Sequence, residues 1–411
     1  MNQALPVHAA MSQFAVRDGE LVVGGIGLSR LAAIVGRTPF YAYDRSLLSA
    51  RVRELRALVP ATVKLHYAMK ANPMPALVAH LASLVDGIDV ASGRELRVAL
   101  DAGAVPAEIS FAGPGKSAAE LRQAVAAGIL VNVESAREIE LLAAISRDLA
   151  LRARVALRLN PDFELKGSGM RMGGGAKQFG VDVEAAPALL ARIGELALGF
   201  EGFHIFAGSQ NLDAASIGEA QRASLDLALR LAKHAPAPVR ILNLGGGFGI
   251  PYFPGERRLD LPSIKASLIE VAARAGRELP LAQVVIELGR YLVGEAGVYV
   301  CRVVDRKISR GRVFLVTDGG LHHHLAASGN FGQVIRKNYP VAIGTKINSP
   351  HIEKASVVGP LCTPLDLLAD QMDLAAADVG DLVAVFQSGA YGATASPQRF
   401  LSHDEVVEAL V

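Results

Sequence analysis

Residue types that could do chemistry recur where apolar runs of the chain give out. Lys70 stands just past one such run, in the string His66-Tyr67-Ala68-Met69-Lys70-Ala71-Asn72. A lysine desolvated where a strand leaves the core loses proton affinity and becomes a nucleophile able to form an imine; the competing reading is an ordinary lysine on a surface loop. Gly245-Gly246-Gly247 closes a second run. Consecutive glycines let backbone N–H groups come close to an anion, and a purely structural glycine turn is the alternative. The string is not a dinucleotide fingerprint, because Ile250 stands where that motif needs its third glycine and no acidic residue is placed for a ribose. Glu287 ends a third run, in Glu287-Leu288-Gly289-Arg290. Buried there, it needs a cationic partner. A protonated heterocycle nitrogen would serve, and so would a salt bridge to Arg290 or Arg158. Arg290 also offers a fork of donors to a phosphate.

Side chains so far apart in sequence meet only if the fold gathers them. From about Thr38, β-type runs at 63–68, 88–91, 109–112, 129–133, 154–159, 202–206, 239–244 and 284–288 alternate with stretches of helical period. This is the pattern of a parallel sheet wrapped by helices. One helical stretch puts Leu48, Val52, Leu55 and Val59 on a single face behind a capping Asp44. Eight β/α units in about 250 residues predict a (β/α)8 barrel, with an open doubly wound sheet as the alternative. In a barrel the active site lies at the carboxyl ends of the strands. Those ends carry Lys70 at the first strand, Asp89 and Ser92 at the second, and Arg158 and Asn160 at the fifth. His204 and Ser209 follow at the sixth, the three glycines at the seventh, and Glu287 with Arg290 at the eighth.

After Glu287 the texture changes to alternating runs such as 297–304, 312–316 and 382–387, which read as a mainly β domain. The strand-like segment 14–28 is expected to pair with it. The expected division is a barrel over 38–286 and a discontinuous β domain built from 1–37 and 287–411. The weakly patterned region 326–354 reads as a functional or interface loop.

Composition narrows the class further. The 42 Lys and Arg against 40 Asp and Glu leave a net charge of +2, so no long-range field draws nucleic acid or an anionic membrane. Two cysteines in 411 residues cannot make a disulfide framework and point to a reducing compartment. No basic start followed by an apolar run is present, nor any stretch of about 18 uncharged apolar residues, so a cytoplasmic protein is expected. His322-His323-His324 suggests a metal, but neighbours on an extended segment point to opposite faces, and no metal site is expected.

An imine-forming lysine, a phosphate cradle and a carboxylate for a ring nitrogen together describe a pyridoxal phosphate site. Seven strings then carry a resemblance: Tyr67-Ala68-Met69-Lys70-Ala71-Asn72, Asp89-Val90-Ala91-Ser92-Gly93-Arg94-Glu95, Gly208-Ser209-Gln210, Gly245-Gly246-Gly247-Phe248-Gly249, Glu287-Leu288-Gly289-Arg290, Gly359-Pro360-Leu361-Cys362 and Gly389-Ala390-Tyr391-Gly392. In that order they resemble the blocks of the diaminopimelate and ornithine decarboxylase family. The resemblance implies an α/β plus β architecture, an alanine-racemase-like barrel with a mainly β C-terminal domain. It also implies pyridoxal 5'-phosphate and a homodimer whose subunits share active sites.

Carried over by motif position, Lys70 would hold the cofactor, and Gly245, Gly246, Gly247, Ser209, Arg290 and Tyr391 would bind its phosphate. Glu287 would face the pyridine nitrogen, with Asp89, Arg158, His204 and Phe206 also in the cofactor set. Decarboxylation through an external aldimine and a quinonoid is implied, with Glu287 keeping the electron sink protonated. Racemases of this family tend to place an arginine there, so Glu287 argues against one. A non-catalytic pyridoxal phosphate carrier usually lacks the β domain. Cys362, reaching in from the other subunit, would govern reprotonation of the α-carbon; its plain alternative is a small buried hydrophobe.

The departures from the family concern the substrate. Thr363 stands where the family has an acidic residue that holds a distal ammonium, in Cys362-Thr363-Pro364-Leu365-Asp366. Asp366 matches another acidic position of that block. Phe206 replaces a ring-stacking histidine, with His204 two residues earlier on the same strand face. The substrate loop of diaminopimelate decarboxylases corresponds to residues 329–340, where their spacing is lost and Arg336 and Tyr339 are the candidate contacts. The Cys362 block, residues 204–210 and residues 392–397 most resemble a subfamily associated with exosortase and exopolysaccharide gene clusters. Relatives with a similar cysteine block act on aminoacyl groups tethered to carrier proteins. A non-standard or carrier-linked substrate is therefore expected, with a free diamino acid as the alternative.

Overall fold

The computed structural model describes residues 6–167 and 169–411, so the first five residues assigned to the β domain lie outside the described residues. The chain divides into two compact units, one of Met1–Ala50, Pro251–Arg258 and Leu292–Val411, the other of Arg51–Ile250 and Leu259–Tyr291.

In the second unit the β-type runs are parallel strands: Val63–Ala68, Gly87–Val90, Ile109–Phe111, Leu130–Val133, Arg154–Asn160, Gly199–Ile205, Ile241–Gly246 and Gln283–Leu288, called here the first to eighth barrel strands. Each pairs with the next, and the eighth returns to the first with Val284 opposite Val63 and Leu288 opposite Tyr67. The ring is closed, which makes this a (β/α)8 barrel and not an open doubly wound sheet. Strands covered on both faces read as nearly unbroken apolar runs, and most residues of these strands are buried. Serines just past the strands start the wrapping helices. Ser92 accepts from Glu95 N–H ahead of helix Gly93–Asp101, Ser117 forms a capping box with Glu120 ahead of Ala118–Ala127, and Ser135 accepts from Glu138 N–H ahead of Ala136–Leu149. Such caps are worth about 0.5–2 kcal/mol each. Ser92, a strand-end candidate in the sequence, thus has a local structural task. Asn160 has one too: its amide donates to Gly175 O at 2.9 Å and to Asp182 Oδ1 at 2.8 Å.

In the first unit the strand Gly297–Ser309 is the spine, antiparallel to Phe40–Tyr43, Leu382–Val385 and Arg312–Thr317. Val341–Ile343, Ile352–Val358, Leu367–Ala375 and Val407–Leu410 complete an eight-stranded sheet. Phe14, Leu21, Val23, Leu28 and Leu31 pack into one core with Phe40, Val298, Val300, Leu382 and Phe386.

Segment 14–28 does not enter the eight-stranded sheet, although Leu21 N–H donates to Gly344 O and Ile347 N–H to Gly19 O, each at 2.8 Å. It forms its own antiparallel sheet, Ala15–Arg17, Glu20–Val23 and Ile26–Gly27, ahead of helix Leu28–Val35. The reason is turn chemistry. Asp18 and Gly19 take φ of 54° and 78°, Gly24 and Gly25 take 60° and 79°, and paired left-handed residues fold a strand straight back on itself. Region 326–354 is also not wholly irregular, since it contains Val341–Ile343.

Candidate active site

Every second side chain of a strand faces the same side, and near the carboxyl ends the barrel strands supply a layer of polar residues. In strand order these are His66, Asp89, Ser110, Asn132, Arg158, His204, Asn243 and Glu287, each 7% exposed or less. Register keeps them level: Glu287 pairs with His66, Asp89 with Ser110, Arg158 with His204, and His204 with Asn243. Buried polar groups must satisfy one another, and these do so in two groups. Asp89 Oδ1 accepts from Ser110 Oγ at 2.5 Å and lies 3.1 Å from His66 Nδ1, while Asn132 donates to Ser110 Oγ at 3.2 Å. On the strands that close the ring, Glu287 Oε2 lies 3.1 Å from His204 Nε2 and accepts from Asn243 Nδ2 at 3.1 Å. Asn243 Oδ1 in turn accepts from Gly245 N–H at 2.8 Å.

Glu287 is therefore paired with His204 and Asn243. Among the described residues the salt bridge of Arg158 is to Glu134 and not to Glu287, with Arg158 Nη1 donating to Glu134 Oε1 at 2.8 Å. Burial works against the Glu287 charge. His204, by its charge and hydrogen bond, together with Lys70 and Arg158, outweighs that and holds the carboxyl far below the usual carboxylate range.

Lys70 sits in the short 3-10 turn Met69–Ala71 beyond the first strand and is exposed, with Nζ 5.3 Å from the centroid of the Phe206 ring. Phe206, just past the sixth strand, is half-buried. The three glycines are a close-packed junction. A Cβ on Gly245 would come within 2.7 Å of Phe206, one on Gly246 within 2.2 Å of Glu287 O, and one on Gly247 within 2.5 Å of Gly208 O. Gly245 and Gly247 also take φ of 65° and 75°, which disfavours a side chain at both. Ser209 lies in the two-residue strand Gly208–Ser209, paired with Met170–Arg171.

Sequence reasoning missed a second buried cluster beside this layer. Lys116 Nζ lies 3.1 Å from Glu138 Oε1 and 3.8 Å from Glu134 Oε1, with all three side chains 3% exposed or less. Glu134 also accepts from the N–H groups of Gly113 at 2.6 Å and Gly180 at 3.0 Å. It joins three loops to Arg158. No spacing signal marks Lys116 or Glu134, since they lie on the third and fourth β/α units and meet only when the barrel closes.

Arg290, in the second unit, opens the short helix Arg290–Val293 just past the eighth strand, and the remaining expected site residues belong to the first unit. Cys362 is exposed and Thr363 half-buried. Asp366 is 2% exposed, and its two oxygens accept from Leu321 N–H at 2.6 Å and Leu361 N–H at 2.8 Å. Tyr339 is 6% exposed, packed on Tyr252 with ring centroids 4.7 Å apart. Arg336 donates to Ser328 O, and burial lowers its proton affinity. Tyr391 is half-buried with φ of 53°. Residues 322–324 lie in a turn and not on an extended segment. Among the described residues no group of three or more His, Cys, Asp or Glu is arranged to hold a metal ion.

A primary amine beside an aromatic ring, an ionised carboxylate beneath, and a tight glycine turn are what an aldehyde, a protonated pyridine and a phosphate require. His204 Nδ1 is buried with no hydrogen-bond partner among the described residues, and its Nε2 faces Glu287. Barrel, β domain and this constellation define an enzyme of the alanine-racemase-like, pyridoxal-phosphate-dependent class. The family described as "Pyridoxal-dependent decarboxylase, pyridoxal binding domain" matches residues 45–294, and the chain belongs to that family of carboxy-lyases, whose cofactor is pyridoxal phosphate. It is 38% identical over 383 residues to the L-glutamyl-[BtrI acyl-carrier protein] decarboxylase of Niallia circulans, covering 91% of this chain and 88% of the relative. It is 33% identical to the diaminopimelate decarboxylase of Aquifex aeolicus, covering 92% and 87%. Among solved structures, the diaminopimelate decarboxylase of Helicobacter pylori complexed with L-lysine superposes with a TM-score of 0.80 at 27% identity, covering 93% of this chain and 94% of that one. Among the described residues no helix is long and apolar enough to cross a membrane.

Proposed function

We propose that the chain decarboxylates an α-amino acid presented as an aminoacyl group on a carrier protein. The observation that carries this substrate class is the turn around Cys362. Thr363 occupies the place of an acidic ammonium reader, and Asp366 has both carboxylate oxygens engaged by backbone N–H groups, one from Leu361 in the turn and one from Leu321 outside it. No other acidic side chain occurs between Gly359 and Asp366, so the block offers nothing to pair with a distal ammonium. A neutral, acyl-linked distal end suits it better. The Niallia circulans relative, named for a glutamyl group on an acyl-carrier protein, supports the same choice.

When bound, pyridoxal phosphate supplies the electron sink for the α-carbon. The chain's own residues do the rest. Lys70 holds the cofactor through Nζ, and Glu287, kept ionised by His204, holds the proton on the ring nitrogen. Gly245, Gly246, Gly247, Ser209, Arg290 and Tyr391 bind the phosphate. Phe206 packs on the ring, and Asp89 and Arg158 fix its surroundings. Thr363, Arg336 and Tyr339 form the substrate end, and Cys362 returns a proton to the α-carbon. The motif resemblance supports a cytoplasmic homodimer, in which the Cys362 turn of one copy serves the site of the other, working beside exopolysaccharide assembly.

A second reading, a diaminopimelate decarboxylase, is favoured by the whole-chain similarity to the Aquifex aeolicus enzyme. CO2 release from free ornithine, lysine, meso-diaminopimelate, arginine and glutamate, compared with glutamyl-loaded carrier protein, separates the two. Turnover confined to the loaded carrier supports the proposal. Efficient turnover of free meso-diaminopimelate sinks it.

A further inference from the structure

The polar layer of the barrel holds two histidine–carboxylate pairs, one of which, His204–Glu287, serves the ring nitrogen in the reading above. The other is His66–Asp89. His66, on the first strand, is the register partner of Glu287 on the eighth, so the pairs are one strand step apart, about 4.8 Å. His66 Nδ1 lies 3.1 Å from Asp89 Oδ1, while His66 Nε2 and Asp89 Oδ2 are buried with no hydrogen-bond partner among the described residues. The second strand makes room for the ring: a Cβ on Gly87 would stand 2.5 Å from His66 Nε2. An apolar side chain would fill this slot without stranding a polar atom. An imidazole with an idle nitrogen there calls for a reason in its charge.

We propose that His66 is a positioning residue for Glu287, an imidazolium paired with Asp89 and one strand step from Glu287, whose charge competes with a protonated cofactor ring, so that arrival of the ring and departure of the His66 proton to solvent are one linked event. The groups facing His66 are Asp89 from the second strand, Glu287 from the eighth, Glu108 from the turn before the third and Asp86 from the turn before the second. Burial disfavours the imidazolium, yet the charges of Asp89, Glu108 and Glu287 and the Asp89 hydrogen bond outweigh it and raise its pKa above the ordinary histidine value. Lys64 neutralises Glu108, its Nζ donating to that carboxylate at 2.6 Å. Arg56 neutralises Asp86 in the same way, Nη1 lying 2.7 Å from Oδ2, so Asp89 and Glu287 are the facing carboxylates without a lysine or arginine salt bridge among the described residues. A pyridinium placed on Glu287 would be a like charge in a weakly screened interior, and coupling of this kind is reciprocal. Bound ring lowers the proton affinity of His66, and protonated His66 weakens the ring's binding.

This inference rests on Glu287 facing the ring nitrogen. The test uses the full chain with 13C-labelled histidine, free of ligand and saturated with pyridoxine 5'-phosphate, which has the ring and phosphate but no aldehyde and so leaves Lys70 out. The His66 resonance is the one missing in His66→Gln. It is expected to titrate above about 6.5 in the free chain and at least about one pH unit lower with ligand. The ligand's dissociation constant should fall as pH rises through that window, and His66→Gln should remove about tenfold of the change. A His66 midpoint indifferent to ligand, or an unaltered pH dependence in His66→Gln, overturns the inference while leaving the cofactor site standing. Failure of the ligand to bind overturns both. If His66→Gln does not fold, the shift is read in the wild type against Glu287→Gln, which must abolish it.

Discussion

His204 Nε2 lies 3.1 Å from Glu287 Oε2, so a buried imidazole and a buried carboxylate are paired from the sixth to the eighth strand, with Asn243 of the seventh donating to the same oxygen. The pair settles how a carboxylate 6% exposed stays ionised at the mouth of a barrel, where burial alone would favour its acid form.

Glu287→Gln keeps the volume and removes the charge. With the ring nitrogen no longer held protonated, CO2 release should fall about 10²-fold, the scale on which losing one preorganised electrostatic partner acts. Because the Glu287 pKa is held low, the group stays ionised across neutral and mildly acid pH, and no limb of the rate profile there should belong to it. A variant retaining wild-type turnover would remove Glu287 from the mechanism.

Lys70 is exposed, and replacing an exposed side chain usually changes stability by less than about 0.5 kcal/mol. Lys70→Ala should therefore keep the circular dichroism spectrum of the fold. It should also lose, on dialysis, the absorbance of bound cofactor near the visible edge. Absorbance that survives dialysis would refute the assigned role.

The β-type runs predicted every barrel strand because a strand buried on both faces must be apolar, and runs such as 63–68 match the observed strand end for end. Whether they closed into a ring was not legible, since closure depends on Leu130–Val133 meeting Arg154–Asn160 and Gln283–Leu288 meeting Val63–Ala68. Lys70, Glu287 and the glycines stood out by type and motif. His66, Ser110, Asn132 and Asn243 did not, because a polar residue inside an apolar run looks the same whether it faces solvent or a neighbour on the next strand, and Lys116 and Glu134 stand in loops that meet only when the barrel closes. The hairpins of 14–28 were legible in principle from Asp18-Gly19 and Gly24-Gly25, two dipeptides that specify tight turns.

Asp366 separates a structural carboxylate from a substrate reader. Its oxygens hold Leu321 N–H and Leu361 N–H, and an unsatisfied buried donor costs about 1–3 kcal/mol. Asp366→Ala should therefore lower stability by roughly 2–6 kcal/mol, read as a drop in the urea midpoint. A variant of unchanged stability whose KM for a diamino acid rises would show that Asp366 faces substrate, and the carrier-linked reading would fall with it.

His324 predicts the acid limit of the protein. It is fully buried, Nδ1 accepts from Ala327 N–H at 3.2 Å, and Nε2 lies 2.8 Å from Ser388 Oγ. With Nδ1 an acceptor, the ring must be neutral, its proton on Nε2 directed at Ser388. Burial lowers its pKa to about 3, whereas an unfolded chain has histidine near about 6.5. Between those values the unfolded state binds the proton and the folded state does not. Stability is thus full above about 6.5 and is lost as pH falls toward 3, with a slope of about 1.4 kcal/mol per pH unit for one such group. Urea midpoints should decline steadily from pH 7 to pH 5, and His324→Phe, though less stable at pH 7, should decline less steeply. A wild-type midpoint that stays level over that range would mean His324 takes up its proton in the folded state and that the Ala327 hydrogen bond does not hold the ring neutral.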